Sequence, residues 1–206
     1  MMVLAVGLGA SACGPSSSTA AVARGLEPRP DGWRGLPVEA ELTMPDVALF
    51  DSTGARVVLS EHTVGTPTLL FFGYTRCPDI CPVHMAAIAA AMRDGGLTAA
   101  DLDVVFVSVD PANDTPEGID EWLAHFDRSF LGLHGPLEAV EAALTDLDLP
   151  GPIVEGPDPR GEGELLGHPA QVIGFDANGR ARRVWPFGTR RADWINDLPL
   201  IVERWS

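Results

Sequence analysis

The stretch Leu69 to Met85, reading L-L-F-F-G-Y-T-R-C-P-D-I-C-P-V-H-M, limits what this chain can fold into more than any other. Leu69 to Phe72 is an unbroken apolar run, which predicts a short strand covered on both faces, because a half-exposed strand would alternate. Gly73 and Pro78 break the run. Cys81-Pro82 then opens a segment rich in Ala and Met, from Met85 to Met92, which predicts a helix. This strand-to-helix corner places Cys77 and Cys81 at a helix N-terminus. Backbone N–H groups there stabilise negative charge, so thiolates form more readily than in free cysteine. Two soft sulfur donors so close in sequence make a redox pair, a metal site, or both.

The flanking segments supply alternating strands and helices. Asp46–Phe50 and Arg56–Leu59, joined by Asp51-Ser-Thr-Gly54, predict two strands and a tight turn. The central strand is expected over Thr66–Tyr74 and its helix over about Pro82–Arg93, stopped by Gly95-Gly96. Leu102–Val109 is a second buried strand. Thr115 is positioned to cap a helix with Pro116 first, running to about Phe126. A short strand over Phe130–His134 precedes a helix over Leu137–Leu147, with Leu137, Val140, Leu144 and Leu147 on one stripe. Residues 150 to 167, rich in Gly, Pro and acids, predict a mobile surface loop. Ala170–Phe175 and Ala181–Trp185 flank Asp176-Ala-Asn-Gly179, a hairpin signal, and Thr189 is placed to cap a last helix over Ala192–Arg204. The expected order, βββαβαβαββα, is an α/β sandwich with helices on a mixed sheet.

Charge and cysteine count narrow the function. A formal net charge of −15 over 206 residues excludes a nucleic-acid footprint, which needs a basic face. The three cysteines, Cys13, Cys77 and Cys81, are too few for a disulfide scaffold. Cys13 has a separate explanation. Residues 1–12 are uncharged and mostly small or apolar, too short to span a bilayer, and match the core of a secretory signal. Ala10-Ser-Ala-Cys13 resembles a bacterial lipobox, although no basic residue precedes the apolar run and Ala10 stands where Leu is usual. The expectation is a signal peptide over 1–12, a lipid anchor at Cys13 and a flexible tether over 13–37. Trp33 is expected to pack on the edge of a domain spanning 38–206.

Three motifs together carry a family resemblance. They are Gly73-Tyr-Thr-Arg-Cys-Pro-Asp-Ile-Cys-Pro82, then Ser108-Val-Asp-Pro111 with Asp114-Thr-Pro-Glu117, then a His at the start of the penultimate hairpin. Residues 44 to 205 resemble the Sco/SenC family. The resemblance implies a thioredoxin-like α/β/α sandwich with a central mixed sheet and an added hairpin. It also implies a copper site, for Cu(I), Cu(II) or both, formed by Cys77, Cys81 and His168. The implied task is delivery of copper to the dinuclear centre of cytochrome c oxidase subunit II, with an upstream copper donor or thiol reductant as second partner. The alternative is a membrane-tethered thiol–disulfide reductase using Cys77 and Cys81 as its redox pair. Export to the outer face of the bacterial cytoplasmic membrane follows from either. Family members commonly carry Asp before this His and Ser or Thr after it, whereas Gly167 and Pro169 flank His168.

Thiolates match soft Cu(I) and imidazole supports both copper states, so a Cys2His set suits an ion that changes oxidation state. Structural zinc usually takes four closed ligands, and no second Cys pair or His pair supplies the fourth. By analogy with thioredoxin-like folds, His168-Pro169 is a candidate cis peptide. Met85 is expected in the core and His84 at the surface. His62, His125 and His134 are expected to be structural or solvated. Asp79, Asp110, Asp114 and Glu117 read as turn and cap groups. Arg76 beside Cys77 raises a peroxiredoxin-like rival, but the rest of the peroxidatic pattern is missing.

Overall fold

The computed structural model describes residues 26–161 and 163–206. The expected signal segment and Cys13 lie outside those residues. Ten strands, β1 (Leu36–Pro37), β2 (Ala48–Phe50), β3 (Arg56–Val58), β4 (Thr68–Gly73), β5 (Asp103–Ser108), β6 (Leu131–Leu133), β7 (Ile153–Pro157), β8 (Glu164–Gly167), β9 (Val172–Phe175) and β10 (Ala181–Trp185), are found among the described residues. The helices among the same residues are α1 (Leu59–His62), α2 (Ile80–Gly95), α3 (Pro116–Leu123), α4 (Leu137–Asp146) and α5 (Arg191–Trp205). Six strands form one mixed sheet in the order β1-β10-β9-β4-β5-β6. β4 runs parallel to β5, and β5 to β6, while β9 and β10 run antiparallel to their neighbours.

β4 lies at the centre because every residue of it is buried. Leu69, Leu70, Phe71 and Phe72 are each at most 1% exposed, and burying each side chain stabilises the fold by about 1.5–3 kcal/mol. Its C-terminal end delivers the chain into α2, which stops at Gly96 in the left-handed region (φ 65°). α3 begins as expected: the Thr115 hydroxyl accepts the Gly118 N–H at 3.1 Å, with Pro116 at the first helical position.

Several expectations are corrected. Residues 150 to 167 are no open loop; β7 and β8 pair antiparallel as a hairpin. Their composition hid this, because Gly156 (φ 143°) lies at a bulge, the side chains of β7 are mostly exposed and those of β8 mostly half-buried, which removes hydrophobic alternation. Thr189 does not cap α5: its hydroxyl donates to the Pro186 carbonyl, and the Asp193 carboxylate instead accepts the Arg190 N–H at 2.9 Å. Leu137 is exposed at 38%, outside the buried stripe of α4 that Val140 and Leu144 form. The peptide bond of Pro169 is trans, as are all others described.

Residues 26–37, expected as tether, pack onto the domain. Trp33 is buried and stacks on Trp205 (centroids 5.1 Å apart), as an edge role required. Behind it, the buried Asp197 carboxylate accepts from Gly35 N (2.7 Å), Arg34 N (2.9 Å) and Trp185 Nε1 (2.8 Å), tying this segment to α5 and β10. Asp197→Ala leaves these donors buried or half-buried without an acceptor, at a cost of about 1–3 kcal/mol. Urea denaturation of the variant is expected to show that loss; unchanged stability would mean water replaces the carboxylate without penalty.

Candidate metal centre

The site forms where β4 ends and α2 begins. Cys77 leaves the turn after β4, Cys81 sits in the first turn of α2, and both are buried with free thiols. Gly73 is the residue that lets them in. A Cβ there would lie 2.6 Å from Cys81 Sγ and 2.9 Å from Phe106, so the requirement is for space against a sulfur. His168 follows β8 directly and is only partly buried. Its Nε2 lies 3.6 Å from Cys81 Sγ and 3.9 Å from Cys77 Sγ. The three donor atoms all fall within 4.8 Å of one another. With metal–sulfur and metal–nitrogen bonds of roughly 2.0–2.3 Å, donors around one ion sit about 3.5–4 Å apart. The donor set therefore fits a single soft or borderline ion.

The imidazole is oriented by backbone and by rings. His168 Nδ1 lies 3.0 Å from the Pro169 carbonyl oxygen. A carbonyl only accepts, so Nδ1 carries the hydrogen and the Nε2 lone pair is left facing the sulfurs. That contact supplies the orienting partner usually provided by a carboxylate or carbonyl, with no Asp at position 167. The edges of Phe71 and Tyr74 meet the ring at centroid distances of 5.9 and 5.6 Å.

The two thiols differ sharply. The hydrogen bond from the Cys81 thiol holds Cys77 down to about 4 against the opposing effect of burial, with help from the Cys81 and Asp79 N–H groups. Burial, and then the neighbouring Cys77 charge, push Cys81 well above the ordinary thiol range. At neutral pH Cys77 is the thiolate and Cys81 the thiol that donates to it. Alkylation of the reduced protein by iodoacetamide is therefore expected to be nearly independent of pH from about 8 down to 5. The rate falls as pH drops through about 4, whereas a free thiol slows tenfold per unit below its pKa of about 8.5. A rate falling steadily through the neutral range would contradict a depressed Cys77.

The loop under the cysteines is held by groups that read in the sequence as turn and cap residues. The buried Asp114 accepts from Thr75 Oγ (2.5 Å), Thr75 N (3.2 Å) and Ser108 Oγ (2.6 Å). Asp110 binds Arg76 Nη2 at 2.7 Å and Asn113 Nδ2 at 2.8 Å. Both belong to motifs that carry the resemblance, but only the β4–β5 pairing places them under the Thr75–Arg76 turn. Glu117 stands in the first turn of α3 and Asp79 precedes α2 without a capping bond. Arg160 carries no signal in the sequence, and Tyr74 stands in the Gly73–Pro82 motif with no role of its own assigned. The Tyr74 hydroxyl accepts the Leu166 N–H at 3.2 Å, and Arg160 Nη2 donates to the Arg76 carbonyl at 2.6 Å. Asp158, in the same turn, binds Arg160 at 2.7 Å. The hairpin leading to His168 is thus fastened to the loop carrying Cys77.

The remaining histidines lie apart from the donor set. His62 faces Asp103 at 3.7 Å, while His125 and His134 contact the carbonyls of Trp122 and Pro111. Met85 is in the core, as expected. His84 is not at the surface as its position suggested; it is wholly buried, and burial lowers its pKa to about 4.

A family model described as SCO1/SenC matches residues 38–203. An SCO2-like protein of Rickettsia felis is 30% identical over 135 residues, 66% of this chain and 65% of that protein. Protein SenC of Rhodobacter capsulatus is 36% identical over 96 residues, 47% of this chain and 43% of that protein. The match therefore spans less than two-thirds of either relative's length. Among solved structures, that of Bradyrhizobium japonicum ScoI with copper bound superposes with a TM-score of 0.64 at 28% identity, covering 81% of this chain and 98% of that one. The architecture is thioredoxin-like, with a central mixed sheet.

Proposed function

The chain belongs to the SCO1/SenC family, and from that premise we propose that it carries one copper ion on Cys77, Cys81 and His168. The recipient is the dinuclear copper centre of cytochrome c oxidase subunit II, the task the family resemblance implies. One observation carries the reading: two sulfurs and an imidazole nitrogen with its lone pair directed at them lie within bonding range of a common point. The copper-bound relative supports the choice of metal. Two sulfurs and one nitrogen favour Cu(I) while accommodating Cu(II). Among the described residues no fourth Cys, His, Asp or Glu joins the group, so a partner's ligand has a coordination position to enter. A partly exposed His168 beside two buried sulfurs makes the imidazole the ligand most accessible to exchange.

The proposal extends to location. A lipid anchor on Cys13 and residues 14–25 as a short spacer would hold the domain at the outer face of the cytoplasmic membrane. No described helix is long and apolar enough to cross a membrane.

A second reading rests on the inequality of the two thiols. As a reductase, the Cys77 thiolate attacks one sulfur of a partner disulfide and releases the other as thiolate. Cys81 then loses its proton, attacks the mixed disulfide at Cys77 and frees the partner's second sulfur. The partner gains two electrons and the Cys77–Cys81 disulfide forms. A Cys77–Cys81 potential too oxidising to reduce such a partner would remove this reading. For the copper reading, the test is titration of the reduced chain with Cu(I) and Cu(II), followed by absorbance and EPR, on wild type and on single variants of the three ligands. One ion per chain, with sulfur-to-copper charge transfer lost in either Cys variant, supports it; stoichiometric binding unaffected by all three substitutions overturns it.

A further inference from the structure

His84 lies outside the donor set, yet it is wholly buried. Its ring sits between Phe71 and Phe187, at centroid distances of 5.2 and 6.1 Å. Nε2 lies 3.1 Å from the Ala170 carbonyl oxygen, so Nε2 carries the hydrogen and donates it. Nδ1 is buried and finds no partner. Leu or Phe would fill the same space without burying an unsatisfied nitrogen. What the imidazole adds is the bond to Ala170.

That bond joins the two halves of the site. One end is on α2, one helical turn beyond Cys81. The other end is on the segment two residues beyond His168, next to the Pro169 carbonyl that orients the His168 ring. We infer that His84 is a positioning residue: by tethering the Ala170 carbonyl to the helix of Cys81, it fixes the distance between Cys81 Sγ and His168 Nε2. On the opposite side, the Leu166 N–H bond to Tyr74 fixes the strand entering His168. His168 is thereby held from both chain directions, and His84 supplies the hold on the C-terminal side. The inference rests on the reading of His168 as a copper ligand.

The test compares His84→Phe and His84→Gln with wild type and with His168→Ala, all as reduced full chains. Gln keeps a donor at about the position of Nε2, whereas Phe keeps the bulk and loses the donor. In His84→Phe, amide hydrogen exchange over residues 168–171 of the copper-free protein is expected to speed up about tenfold or more. Copper affinity in chelator competition falls roughly 10–100-fold, the range for loss of a group supporting a ligand. The Cu(II) EPR spectrum broadens into more than one species, and His84→Gln recovers most of all three. Unchanged exchange and affinity in His84→Phe would overturn the inference, as would equal losses in the Phe and Gln variants. If His168→Ala keeps wild-type affinity, the ligand reading fails, and the exchange data still decide whether His84 holds the segment. Should His84→Phe not fold, His84→Gln decides alone: retained protection and affinity support the donor role, and fast exchange in a folded variant overturns it.

Discussion

His168→Ala is expected to lose copper affinity by more than the roughly 10–100-fold that removal of a supporting group costs, while the domain stays folded. The imbalance follows from what the side chain touches. Its polar contacts are the Pro169 carbonyl of its own neighbour and the two sulfurs. Its packing consists of edge contacts with Phe71 and Tyr74, a kind of pair worth about 0.5–1.5 kcal/mol each. Removing the ring therefore costs only part of the roughly 5–15 kcal/mol that holds a typical domain folded, but it leaves an ion with two protein donors. Dithiol chemistry is expected to survive, because the largest support for the Cys77 thiolate comes from the Cys81 thiol. The variant thus separates the two functional readings. Chelator competition and thiol-exchange kinetics on the same sample measure both, and wild-type copper affinity would remove His168 from the ligand set.

Gly73→Ala is expected to damage the site and the fold together. The added methyl would stand 2.6 Å from Cys81 Sγ, 2.9 Å from Phe106 and 2.9 Å from Phe71. Each of these side chains is fully buried, so none swings into solvent to make room. Forcing one carbon into such a core costs typically about 1–3 kcal/mol. The sulfur is the neighbour whose displacement matters, since Cys81 closes the triangle with Cys77 and His168. Urea denaturation should show the stability loss, and copper titration a further loss of affinity in the fraction that remains folded. A Gly73→Ala protein with native stability and native copper binding would mean that the strand end yields freely, contrary to the packing described.

Much of this was readable in advance where the signal is local. Thr115 before Pro116 announces the start of α3, and Gly96 the end of α2, because caps depend on a few adjacent residues. The unbroken run from Leu69 to Phe72 announces a central strand, since only burial on both faces explains it. The β7–β8 hairpin was not readable. Its strands bury little, and its order comes from pairing and from bonds to Tyr74 and the Arg76 carbonyl, contacts more than 80 positions distant in sequence. His84 was misplaced for a similar reason: the face of α2 it occupies is covered by the segment around Ala170.

By itself, the sequence determined the α/β class, the corner that presents Cys77 and Cys81, and the motifs that resemble one family. All of these are written in residues close enough to restrict each other's backbone. Only the tertiary structure decided that His168 comes within reach of both sulfurs, which nitrogen it offers, and that Cys77 rather than Cys81 is the thiolate. Those outcomes depend on burial and on distances between segments far apart in the chain. The packed sheet sets both, and no local pattern of residues encodes either.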